Sequence, residues 1–70
     1  VAIRKTLHYI LEHEADVDWE TVLQVIRSTK GKRMGSNLIR YLRKTKSGRI
    51  YVLCGIDKDG NLRVINAKRE

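Results

Sequence analysis

Ile50-Tyr51-Val52-Leu53-Cys54-Gly55-Ile56 is the one apolar run in the chain that no charge interrupts. It is rich in β-branched and aromatic residues, and it is apolar at odd and even positions alike. A strand with that pattern is covered on both faces, so it reads as the central strand of a sheet. Lys46-Ser47-Gly48 and Lys58-Asp59-Gly60 bound it. Each triplet suits a three-residue hairpin loop closed by a glycine in the left-handed region. The expected meander is 37–45, 49–57 and 61–67.

Three-residue loops set Thr45 opposite Arg49 and Asp57 opposite Asn61. One face then carries Leu38, Arg40, Leu42, Ile50, Val52, Cys54, Ile56, Leu62 and Val64, an expected core. The other carries Ile39, Tyr41, Arg43, Tyr51, Leu53, Arg63, Ile65 and Ala67, a mixed surface suited to a partner. A two-residue first loop would shift the register by one and exchange the two sets on the first strand.

Upstream the period changes. Ile3, Leu7, Ile10 and Leu11 form a stripe that predicts a helix over residues 2–14, with Ala15-Asp16 as its break. Asp18 is a good N-cap for a second helix, and Glu20 complements the dipole in its first turn. Val17 and Val22 fit a hydrophobic staple. Trp19, Val22, Leu23 and Ile26 give the buried stripe, with Trp19 as the principal core aromatic. The helix ends near Ser28-Thr29. The fold class expected is therefore α+β: two N-terminal helices packed on a three-stranded antiparallel β-meander (α-α-β-β-β).

Seventy residues make one compact domain, 1–70, small enough that a second copy or a bound partner is expected to help stabilise it. A single cysteine excludes an internal disulfide framework and a Cys-rich zinc site. The two histidines are not i, i+4 neighbours, so no metal and no cofactor are expected. With no long apolar run and no signal-peptide pattern, the expected location is cytoplasmic, away from membranes.

Charge changes the picture most. Fifteen basic residues face eight acidic ones, for a net charge of +7. Five of the eight acids fall in residues 12–20, whereas Arg27 to Arg49 holds nine basic residues and no acid. Segregation of this kind points to a phosphate-rich partner. Lys30-Gly31-Lys32-Arg33-Met34-Gly35-Ser36 lacks the Walker A spacing, but its amides and cations suit phosphate. The candidate nucleic-acid-binding residues are Lys30, Lys32, Arg33, Arg40, Arg49, Tyr51, Arg63, Lys68 and Arg69.

Val22-Leu23-Gln24-Val25-Ile26, Arg49-Ile50-Tyr51-Val52 and Leu62-Arg63-Val64-Ile65-Asn66-Ala67-Lys68-Arg69 together resemble the RelE/ParE-type toxin superfamily, nearest its BrnT-like and small uncharacterised relatives. His8, early in the first helix, is similar to that pattern as well. The Glu-Arg pair usual after that histidine is absent, and no extra first strand is legible. The resemblance implies a metal-independent endoribonuclease acting on mRNA, ribosome-bound mRNA included, with an acidic antitoxin protein as partner. Attack by the RNA 2′-hydroxyl needs proton transfer and stabilisation of a more negative transition state. Tyr41, Arg43 and His8 are the catalytic candidates on that reading. The alternative is a non-catalytic nucleic-acid-binding or protein-interaction module.

Overall fold

A computed structural model describes residues 1–70. In chain order the elements are β1 (Ile3–Lys5), α1 (Leu7–Glu12), α2 (Trp19–Ser28), β2 (Lys32–Arg33), β3 (Leu38–Thr45), β4 (Gly48–Ile56) and β5 (Leu62–Arg69). The expected meander is present as β3, β4 and β5, with β4 between the other two. The α-α-β-β-β class is nevertheless wrong. The sheet has five strands in the order β1-β5-β4-β3-β2, and β1 runs parallel to β5, which makes it mixed.

Thr6 explains the missed first strand. Its backbone N–H and its hydroxyl both donate to the Val64 carbonyl, at 3.2 and 2.7 Å. Its hydroxyl also accepts from the Tyr9 N–H, so Thr6 is the N-cap and the helix starts only at Leu7. A strand of three residues has too few positions to display a period of two, and Ile3 fell by chance on the helical stripe. β2 is shorter still, two exposed cations paired with Arg40 and Ile39.

The α1 stripe is also corrected. Leu7 and Leu11 are 70% exposed, and the residue buried from this helix is Tyr9. The core joins Tyr9, Val17, Val22, Val25 and Ile26 to Tyr41, Ile50, Val52, Cys54, Leu62, Val64 and Ala67 of the sheet. Tyr9 replaces Trp19 as the central aromatic; Trp19 is only partly buried, packed against Tyr9 with ring centroids 5.7 Å apart. Asp18 is the N-cap of α2 as expected, but its carboxylate accepts from the Thr21 hydroxyl rather than from a backbone amide.

Two register details decide which side chains share a face. Thr45 pairs with Gly48, so the first hairpin loop has two residues rather than three. Every β3 side chain therefore exchanges faces relative to the three-residue expectation. Ile39 and Tyr41 turn to the core, while Leu38, Arg40 and Leu42 turn to the open face. The second hairpin keeps its expected pairing, Ile56 with Leu62, up to Cys54 with Val64. Beyond that a bulge follows Leu53, which pairs with Asn66, and Val52 then pairs with Ala67. The bulge carries Ala67 into the core, against the expected placement on the outer face.

Candidate nucleic-acid interface

The helices cover one sheet face and leave the other open. Register places Leu42, Tyr51 and Lys68 in one row across β3, β4 and β5. The next row is Lys32, Arg40, Leu53 and Asn66. Leu38, Gly55, Arg63 and Arg4 follow. Gly55 has no side chain of its own, and the Arg63 guanidinium and the Ile65 side chain lie over it. Lys44 pairs with Arg49 at the far end.

At the middle of this face Arg40, Leu42, Arg49, Tyr51, Asn66, Lys68 and Glu70 line a shallow depression of ≈ 360 Å³. Tyr51 forms its partly exposed aromatic floor, with the Lys68 ammonium 5.7 Å from the ring centroid. The side-chain oxygen of Asn66 is buried here and has no hydrogen-bond partner. An unpaired buried amide oxygen carries a desolvation cost that a donor from outside would relieve.

Electrostatically the two sides differ. Glu12, Glu14, Asp16, Asp18 and Glu20 belong to the helical segments and the turn between them. Asp57 and Asp59 sit at the β4–β5 turn. Two acids border the open face: Glu70, with its carboxylate 4.0 Å from Lys68 Nζ, and Asp57, close enough to Arg63 to feel its charge. The cations of this face outnumber those acids, and the excess creates a positive potential that focuses anions there.

The sequence-derived candidates divide between the two sides. Lys32, Arg40, Arg49, Tyr51, Arg63 and Lys68 share the open face. Arg33 is opposite Ile39 on the other side, its guanidinium donating to the Ser36 carbonyl at 3.0 Å. Arg69 donates from Nε to the Asp16 carbonyl on the helical side. Lys30 lies in the exposed connection after α2.

Tyr41, Arg43 and His8 do not converge. Tyr41 is in the core, where burial and then the neighbouring Cys54 push its hydroxyl above the ordinary tyrosine range. Gly31 lies against it so closely that an added Cβ would stand 2.3 Å from the Ile39 side chain and 3.0 Å from the Tyr41 ring. Arg43 lines a separate cleft of ≈ 440 Å³ with Thr21, Gln24, Val25, Lys44, Thr45, Lys46 and Ile50. His8 is on α1, in contact with His13. Cys54 is buried, and burial pushes its thiol up to about 12, so it is not a nucleophile near neutral pH.

Sequence reasoning missed Arg4, Leu42 and Asn66 on the open face. Arg4 falls within the expected helix over 2–14 and Leu42 within the expected core, errors that follow from the missed β1 and the shifted hairpin. Asn66 reaches the depression through the bulge, which sets two residues of β5 opposite one of β4, and no residue type signalled it.

No helix is long and apolar enough to cross a membrane. Compared with known proteins, the chain matches no family model, no curated protein and no solved structure.

Proposed function

We propose that this chain is a RelE-like domain that acts on RNA through the open face of its sheet. The observation that carries this reading is the depression around Tyr51, where an accessible ring is surrounded by Arg40, Arg49 and Lys68. Single-stranded nucleic acid is held by that combination, cations tracking the phosphates while bases stack on aromatic rings. The short strand ahead of α1, part of the toxin-type pattern and illegible in the sequence, adds support from the fold. An acidic antitoxin-like protein would compete with RNA for the same surface.

Cleavage on this face would rest on Arg40, Arg49 and Lys68 stabilising the charge that builds on the attacked phosphate. The burial of Tyr41 and the separation of Arg43 and His8 favour a second reading, RNA binding without cleavage. One experiment tests both readings: the protein is titrated into a fluorescent single-stranded oligoribonucleotide at low salt, and the same samples are run on a denaturing gel. Binding with fragments ending in 2′,3′-cyclic phosphate supports the nuclease. Binding of intact RNA supports the binder. Absence of any binding overturns both.

A further inference from the structure

On a regular helix, side chains five residues apart point roughly 140° away from each other, yet His8 and His13 meet. Their Nε2 atoms are 3.2 Å apart. α1 ends at Glu12, and His13 is its C-cap, with φ −129° and ψ −25°. The N–H groups of His13 and Glu14 both donate to the Tyr9 carbonyl at 2.9 Å. The second bond spans five residues, so the last turn is widened, and this carries the His13 ring back over His8 at the surface.

We propose that His8 and His13 chelate a single borderline divalent transition ion, such as Zn²⁺, Ni²⁺ or Cu²⁺, through their two Nε2 atoms. Two nitrogens bound to one tetrahedral zinc at 2.0–2.1 Å stand about 3.3 Å from each other, which matches the 3.2 Å separation. The ring centroids are 5.0 Å apart. Two rings aimed at one such ion would have centroids about 5.2 Å apart, whereas rings facing each other head-on would stand about 5.5 Å apart. The observed separation is closer to that of two rings sharing one ion than to the head-on arrangement. No third His, Cys, Asp or Glu completes a cluster, so water fills the remaining positions. Imidazole ligands select zinc, copper and nickel over magnesium and calcium. The site does not depend on the RNA reading, since it lies on α1.

The test is calorimetric titration of the tag-free protein with NiCl₂ and with ZnCl₂, repeated on His8→Ala and His13→Ala. The expected result is one ion per chain, with affinity at least tenfold weaker in either variant and circular dichroism unchanged. As a readout that needs no variant, CuCl₂ added to the ¹⁵N-labelled wild type should broaden the amides of residues 7–14 first. Absence of binding, affinity unchanged by His13→Ala, or broadening centred elsewhere would overturn the site.

Discussion

The Tyr9 hydroxyl donates to the Val17 carbonyl at 2.7 Å, and both residues are fully buried. This bond ties the middle of α1 to the residue just before the cap of α2. In a domain with so small a core, it helps set how the two helices sit against each other. Tyr9→Phe leaves the Val17 carbonyl buried and unpaired, which should cost about 1–3 kcal/mol. At about 4–8 °C per kcal/mol for a chain this size, thermal unfolding followed by circular dichroism will detect the loss.

Tyr9 also predicts alkaline behaviour. Burial first, then the charges of Glu14 and Asp18, raise its hydroxyl from 10.0 to about 12. The unfolded chain therefore ionises this group at lower pH than the folded one. Its contribution is complete below pH 10 and is lost as pH rises from about 10 to about 12. The stability gap between wild type and Tyr9→Phe should accordingly shrink across that interval. A gap constant from pH 9 to 12 would contradict the assignment.

Gly48 has φ +147°, and a Cβ there would stand 2.0 Å from the Glu70 carbonyl oxygen. That oxygen accepts from the Arg49 N–H at 3.0 Å, while the Glu70 N–H donates to the Arg49 carbonyl at 2.8 Å. Gly48→Ala must therefore displace the end of β5 as well as strain the turn. It should destabilise by more than about 1 kcal/mol, with amide exchange at Glu70 accelerating most.

Asp57 organises the other hairpin. Its carboxylate accepts from the Asp59 and Asn61 N–H groups, each at 2.9 Å. These bonds, Asn61 foremost, together with the Arg63 charge, hold the carboxyl below its ordinary value. A depressed carboxyl adds stability above its unfolded value of about 3.9, and that stability is lost as pH falls through the lower folded value. Asp57→Asn should show less acid destabilisation than wild type below pH 4; equal acid sensitivity would exclude this role.

Much of the sheet was legible because β4 is an unbroken apolar run, although of its side chains only the core-facing Ile50, Val52 and Cys54 are buried, while Tyr51 and Leu53 face the open side. The glycines ending both triplets were legible too, since Gly48 and Gly60 do adopt positive φ. Loop length was not legible. Lys46-Ser47-Gly48 is compatible with a two- or a three-residue turn, and that single residue decides whether Tyr41 or Leu42 faces the core. The sequence carries alternating large side chains at both sets of positions, so hydrophobicity alone could not arbitrate. The consequence reached the candidate site directly: Tyr41 was chosen for chemistry and proved to be core, whereas Tyr51 was placed on the open face correctly. The His8–His13 contact depends on the unwinding at a helix end, which spacing rules for regular helices do not describe.

The central claim is that cations and an aromatic ring on the open face together hold single-stranded RNA. It is tested most directly by measuring oligoribonucleotide affinity against salt for wild type, Arg40→Ala and Tyr51→Ala, with Arg27→Ala, at an exposed position of α2, as the control. Each phosphate contact removed should lower the log–log slope by about 0.7, so Arg40→Ala should weaken binding and flatten the slope. Tyr51→Ala should lose about 1–3 kcal/mol of binding with the slope unchanged, because stacking releases no counterions, and Arg27→Ala should match wild type. Equal losses in Arg27→Ala and Arg40→Ala, or full affinity in Tyr51→Ala, would contradict the account.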